Sequence, residues 1–393
     1  MSDPARSAAL IERLLELEPE VRSRRSEVRL VRAPGRVNLI GEHTDYNLGF
    51  VMPAAISMET WIASSAAADS IVRLTSLQVG DTQEFDLNAP GPRRGTWIDY
   101  VAGVAGVLAD EGIPVRGLRG VVESDIPIGS GLSSSAALEL AAAWTLSATV
   151  PPPMPLMALA RAAQRAENAY VGVQCGLMDQ FAVAHGQVDR ALLLDCRSLG
   201  HHPVELPTTH SLVALDTRSP HRLGASEYNA RREQCERGVA ALSKLFPAIR
   251  SLRDVTPEML RDGQAALDAE TMRRCEHVVA ENRRVSMVAD ALRANDLEAV
   301  GELFRESHVS LRELYEVSSP ELDALVEIAM AVPGVVAARM TGAGFGGCTV
   351  NIVRNEAIGE LRSAVATEYP RRVGHEAGFH VVRAVAGAGL VAA

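Results

Sequence analysis

The stretch Pro127 to Leu140, P-I-G-S-G-L-S-S-S-A-A-L-E-L, constrains this chain most, because its composition makes sense around a bound polyanion. Gly129 and Gly131 permit positive φ, and Ser133, Ser134 and Ser135 lead into strong helix formers from Ala136 to Ala143. This order predicts a helix that begins directly after a glycine turn. Its unpaired N–H groups and positive dipole end suit a phosphate group without a nearby lysine. No Lys follows the second glycine, so this is not a Walker A motif, and neutralisation falls to backbone, hydroxyls and a metal ion. Taken alone, the stretch leaves a second possibility open, a Ser-capped buried helix after a tight turn.

A chain of 393 residues is too long for one compact core and predicts about two domains. A net charge of -10 argues against nucleic acid or an anionic membrane as the main partner, since both need a basic face. The five cysteines are odd in number, far apart and free of any C-x-x-C pair, so neither a disulfide framework nor a zinc site is indicated. The N-terminus lacks a signal-peptide pattern. It predicts a helix with Asp3 as N-cap, Pro4 at its first position, and Leu10, Ile11, Leu14 and Leu15 on one face. With no 18-residue apolar run, a cytoplasmic protein is expected.

Along the chain, a short strand at Val28–Val31 enters A-P-G-R-V-N-L-I-G-E-H-T-D-Y-N-L-G-F, residues 33–50, which reads as a functional loop. Strands are expected at 60–64, 71–76 and 83–87 with antiparallel pairing, then a helix at 97–108 and a strand at 120–123 feeding the glycine turn. The polar stretch 200–210, with two prolines and His201, His202 and His210, marks a junction between residues 1–205 and 206–393. The histidine pair there reads as solvated rather than metal-bound. The second half is mainly helical, with strands near 337–340, 349–353 and 380–385. The fold class is α+β in two lobes.

Three further clusters could carry chemistry. Thr341 to Gly347, T-G-A-G-F-G-G, has four glycines in seven residues, as a loop covering phosphates or as a structural turn. Glu167 and Ser135 would suffice as protein ligands for Mg²⁺ with ATP, and Asp179 in G-L-M-D-Q would need a cation or hydroxyl beside it. The alternative for these acids is a cap or a helix surface. The loop Glu42-His43-Thr44-Asp45 has the acceptors that a polyol pocket needs, and Arg36 is either a surface partner of Glu42 or a cation serving phosphate and Asp179.

Together, A-P-G-R-V-N-L-I-G-E-H-T-D-Y-N at 33–47, P-I-G-S-G-L-S-S-S-A-A-L-E at 127–139 and T-G-A-G-F-G-G-C at 341–348 resemble the three motifs of the galactokinase, homoserine, mevalonate and phosphomevalonate kinase superfamily. The first motif, with E-N-A-Y-V-G-V-Q-C-G-L-M-D-Q-F, D-C-R-S-L-G and S-E-Y-N-A-R-R-E-Q-C, resembles the galactokinase family within it. That resemblance implies a first lobe like ribosomal protein S5 domain 2, a ferredoxin-like second lobe with extra helices, and a site in the cleft between them. It implies phosphorylation of D-galactose by ATP at the C1 hydroxyl, giving α-D-galactose 1-phosphate, the first committed step of galactose catabolism. No nucleic acid, membrane or obligate protein partner is implied. Glu42, His43, Thr44, Asp45, Gly176 and Tyr228 would hold the sugar, and Gly129, Ser130, Gly131, Leu132, Ser133, Ser134, Ser135 and Gly346 the nucleotide. Ser135 and Glu167 would bind Mg²⁺, Asp179 would be the base and Arg36 would stabilise the transition state. The family usually has Gly where this chain has Ala343. N-acetylgalactosamine phosphorylation, or a sensor that binds without turnover, are the competing outcomes; the intact Asp179 and serine run favour an enzyme.

Overall fold

The computed structural model describes residues 3–219 and 224–391. Thirteen strands follow in order: β1 Arg29–Asn38, β2 Phe50–Val51, β3 Pro53–Ala66, β4 Ile71–Ser76, β5 Asp81–Asp86, β6 Leu118–Ser124 and β7 Arg190–Asp195 in the first half. The second half adds β8 His201–Glu205, β9 His210–Asp216, β10 Val335–Thr341, β11 Cys348–Arg354, β12 Gly378–Val382 and β13 Gly389–Leu390. They form a six-stranded sheet in the order β13-β1-β3-β6-β4-β5, a four-stranded sheet β10-β11-β9-β12 and a three-stranded sheet β2-β7-β8. Helices cover these sheets, which makes the molecule α+β.

The first helix, Pro4–Leu17, starts as expected: the Asp3 carboxylate accepts from the Arg6 N–H, and Leu10, Leu14 and Leu15 are buried. The helices Ile98–Asp110, Ser134–Leu146 and Met178–His185 lie close to their expected positions. The helix expected at 156–171 is α-helical only from Leu156 to Ala166, and Glu167–Val171 widens into a π turn that ends at Gly172 in the left-handed region. Such widened turns often bring a side chain into a site.

Several expectations need correction. Residues 33–38 are not loop but the second half of β1, whose register against β3 shifts between Pro34 and Gly35. A bulge accommodates a proline that cannot donate to the ladder. The dense polar side chains beyond it mark a strand facing a cleft. β4 pairs β5 antiparallel as expected, but it does not pair β3: β6 lies between them and pairs β4 in parallel. The junction 200–210 is largely ordered: β8 pairs β7, and β9 lies between β11 and β12 in the second sheet. The end of the chain returns to the first sheet, where β13 pairs β1 through Val31 and Leu390. The largest apolar cluster also crosses between halves, joining Val37, Ile40 and Leu140 with Val285, Phe304 and Val350. Shared apolar packing of this kind fixes the cleft walls relative to one another.

Candidate active site

Two cavities adjoin in the cleft, of about 230 Å³ and about 420 Å³, and they share three lining residues: Arg36, Asp179 and Ala343. Arg36 projects from β1 beyond its bulge. Asp179 sits in the first turn of the helix Met178–His185. Arg36 grips the Asp179 carboxylate in a fork, Nε to Oδ1 at 2.8 Å and Nη2 to Oδ2 at 2.7 Å, and its Nη1 donates to the Gly131 carbonyl at 2.5 Å. The Ser133 hydroxyl donates to Asp179 Oδ2 at 2.7 Å. The acid of the G-L-M-D-Q turn therefore meets the start of the serine-led helix directly. A planar fork of this kind fixes direction as well as distance.

The larger cavity is the one the glycine turn opens on. Gly129, Gly131 and Ser133 take positive φ of 73°, 75° and 61°, and they line this cavity with Ser134 and Ser135. Ser130 and Leu132 do not line it: the Ser130 hydroxyl turns back to the Pro127 carbonyl at 2.8 Å, and the Leu132 side chain is buried in the core. The turn sends the side chains of Ser130 and Leu132 inward, so at these two positions only the backbone is left to meet a phosphate. Trp97, Tyr100, Val79 and Ile128 line the larger cavity too. Ile128 is 66% exposed.

Behind the helix start two buried carboxyl groups lie close together. Glu167 is 6% exposed and Glu139 fully buried, and one Gln180 amide bridges them, donating to Glu139 Oε2 at 2.9 Å and Glu167 Oε2 at 2.7 Å. Burial pushes the Glu167 carboxyl up to about 7, partly opposed by hydrogen bonds from Cys175, Gln180 and Ser135. Burial beside Glu167 also raises Glu139 well above the usual carboxylate range. Carboxyl groups crowded in this way are relieved by a proton or by a cation. Among the described residues no set of three His, Cys, Asp or Glu could enclose a metal by itself. The Glu167–Ser135 pair fits Mg²⁺ better than a caged ion, since Mg²⁺ keeps waters and phosphates as its other ligands.

The smaller cavity is lined by Glu42, His43, Asp45, Glu167, Cys175, Gly176 and Tyr228, among others. Asp45 packs against Gly176 so closely that a Cβ there would lie 1.9 Å from Asp45 Oδ2, so only glycine fits. Burial, with Asp179 adding to it, pushes the Asp45 carboxyl up to about 6. His43 Nε2 lies 3.1 Å from the Ala343 carbonyl, which can only accept. The proton is thereby assigned to Nε2, and Nδ1 accepts from the Tyr46 hydroxyl at 2.8 Å. Burial depresses this imidazole to about 3 and keeps it neutral. Both ring nitrogens are engaged, so His43 offers the cavity a ring edge rather than a free nitrogen. Thr44 does not line the cavity: its hydroxyl is turned onto the Gly41 and Phe50 carbonyls, at 2.8 Å and 2.6 Å.

The second glycine loop closes the cleft through Gly342 and Ala343. Gly342 donates its N–H to Glu42 Oε1 at 3.1 Å, and at φ 84° its Cβ position would lie 2.9 Å from the Gly131 carbonyl, so it is pinned between the two other motifs. Gly346 takes φ 123° and lines neither cavity.

Comparison with known proteins supplies the remaining observation. Residues 21–66 match the galactokinase galactose-binding signature, 99–187 the N-terminal domain of GHMP kinases and 288–371 their C-terminal domain. A galactokinase of Roseiflexus sp. strain RS-1 is 44% identical over 362 residues, 92% of this chain and 93% of that protein. The chain belongs to the galactokinase family. The crystal structure of Lactococcus lactis galactokinase complexed with galactose superposes with a TM-score of 0.92 at 35% identity, covering 98% of this chain and 99% of that one. Methanococcus jannaschii mevalonate kinase, at 17% identity and a TM-score of 0.64 over 91% and 98% of the two chains, shares the fold.

Within this galactokinase site, three contributors were not anticipated. Gln180 bridges the two buried glutamates from the position next to Asp179. Cys175 lines the smaller cavity, its thiol donating to Glu167 Oε2 at 3.2 Å. Arg339 is fully buried and ion-paired with Glu42. The signal was present for Arg339: a lone charge in V-V-A-A-R-M-T, within an apolar strand, requires a buried partner.

Proposed function

We propose that this protein transfers the γ-phosphoryl group of ATP to the C1 hydroxyl of D-galactose, giving α-D-galactose 1-phosphate and ADP, in the cytoplasm. The observation that carries the proposal is the shared wall of the two cavities: Asp179 and Arg36 face both, so a sugar on one side and a triphosphate on the other would meet at one carboxylate and one guanidinium. The complex of the L. lactis relative with galactose supports the sugar assignment. The five cysteines are all free, which suits a reducing compartment, and among the described residues no helix is long and apolar enough to cross a membrane.

In this scheme the smaller cavity orients the sugar through Glu42, Asp45 and Tyr228, and Gly176 leaves room for Asp45. Asp179 accepts the proton of the attacking hydroxyl, and the Arg36 fork holds its carboxylate in place. The N–H groups at the start of the serine-led helix and Arg36 stabilise charge on the transferring group, whose loose transition state needs mainly positioning and electrostatics. Ser135 and Glu167 would hold Mg²⁺, which when bound neutralises charge shared by the β- and γ-phosphates. The walls at Trp97, Tyr100, Val79 and Ile128 would take the base of the nucleotide. The sugar and phosphate sites come from residues on either side of position 205, so we assign them to the junction of the two lobes. ADP release measured with galactose, N-acetylgalactosamine, glucose and mevalonate tests the proposal. Turnover should be greatest with galactose, and none with galactose would refute it.

A further inference from the structure

Glu42 stands out among the acids that line the smaller cavity because several residues of the second half of the chain hold it. Its Oε1 accepts from the Gly342 N–H, and its Oε2 is ion-paired with Arg339 Nη2. Its carbonyl accepts from His277 Nε2 at 3.2 Å. The flanking backbone is held too: Arg339 Nη1 donates to the Leu39 carbonyl at 2.8 Å, and the Gly41 N–H donates to Glu281 Oε1 at 3.0 Å. Glu281 in turn accepts from Ser307 Oγ at 2.7 Å and from Arg284 Nε at 2.8 Å, and it lies 3.8 Å from Arg339 Nη2. Two buried carboxylates thus balance two largely buried guanidiniums. Arg339 is their hub. It is fully buried and lines neither cavity.

An arginine can hold the Leu39 carbonyl and the Glu42 carboxylate at once, because its nitrogens form a rigid fork, whereas a lysine has one nitrogen on a flexible stem. Burying this much charge is expensive and is weak evidence of a purely stabilising role. We infer that Arg339 is a positioning residue for sugar recognition, fixing the direction in which Glu42 presents its carboxylate to the sugar hydroxyls. This inference rests on the sugar-kinase assignment above. Glu42 then acts as an acceptor for one particular hydroxyl, and Arg339, more than 290 residues away in sequence, decides how strictly that hydroxyl is required.

The test is steady-state kinetics of wild type and Arg339→Lys with galactose and with its 2-, 3-, 4- and 6-deoxy derivatives. For galactose, Arg339→Lys should raise KM about tenfold or more while kcat and the KM for ATP change by less than about threefold, the pattern of lost ground-state binding. In wild type, the derivative lacking the hydroxyl that Glu42 binds should be strongly disfavoured, because the acceptor is left unpaired. In Arg339→Lys that one handicap should shrink by about tenfold and the other three persist, which is the coupling expected of neighbouring groups. Handicaps that are all unchanged, or that all shrink together, overturn the inference. Should Arg339→Lys fail to fold, Glu281→Gln, which keeps shape and removes one charge of the quartet, must shift the same single handicap in the same direction; no shift there also overturns it. Wild type that does not phosphorylate galactose at all would instead refute the sugar-kinase assignment, a result visible before any variant is made.

Discussion

A single methyl group at Gly176 should damage sugar recognition while sparing the nucleotide site. A Cβ built there lies 1.9 Å from Asp45 Oδ2, 2.2 Å from its Cγ and 2.9 Å from its Cβ. Ordinary carbon–oxygen contact begins near 3.4 Å, so the Asp45 carboxylate must retreat by about 1.5 Å in Gly176→Ala. It has little room to do so, being 8% exposed with Asp179 among the charges that act on it. Misplacing a substrate-orienting group by about 1 Å costs on the order of 10²-fold, so kcat/KM for galactose should fall by about that factor. The nucleotide cavity contains neither Gly176 nor Asp45, so the Kd for ATP should be unchanged. Coupled ADP-release kinetics across galactose concentrations, with calorimetry of nucleotide binding, measure both quantities. If Gly176→Ala keeps its kcat/KM for galactose within threefold while Asp45→Ala loses sugar binding, close packing does not set the Asp45 position and the reasoning fails.

Asp179→Asn should lower kcat by about 10²- to 10⁴-fold with ATP still bound, the range for loss of a general base; near-normal turnover in single-turnover assays would leave Asp179 as an orienting acceptor at most. Glu167→Gln should raise the half-saturating Mg²⁺ concentration at least about tenfold, because a neutral amide is a poor Mg²⁺ ligand; a Mg²⁺ titration of rate and of Mg²⁺-dependent ADP binding that superposes on wild type would exclude Glu167 from the metal site. Asp45 is pushed up to about 6 by burial, so in the ligand-free protein its stabilising contribution is complete below the unfolded value near 4 and is lost as pH rises through about 6. Asp45→Asn escapes that loss and should stabilise the protein relative to wild type at pH 8 but not at pH 4, by no more than about 3 kcal/mol since each pKa unit is 1.36 kcal/mol, which a higher Tm at pH 8 alone would show; a Tm difference that is the same at both pH values would contradict it.

Local chemistry was legible wherever neighbours in sequence do the work. The glycine turn before the serine run, the Asp3 cap and the positions of most helices follow from backbone freedom, capping and periodicity, which act over a few residues. The three glycine-bearing motifs also marked which segments belong to the site. Less legible was which member of each motif faces a cavity. Thr44 and Ser130 carry hydroxyls like the residues around them that could face a ligand, and only the turn of the chain sends them inward.

Strand pairing was equally hidden, because β-branched runs reveal a strand but not its partner. The parallel β4–β6 pair and the return of β13 to β1 depend on contacts distant in sequence. By itself the sequence determined the class of fold, the three motifs and the acids and glycines of the site, since these rest on residue types and short spacings. Tertiary structure alone decided that Asp179 meets both Arg36 and Ser133, that His43 is already fully hydrogen-bonded, and that Arg339 stands behind Glu42. A buried charge must find its counter-charge in space, and nothing in the order of residues along the chain says where that will be.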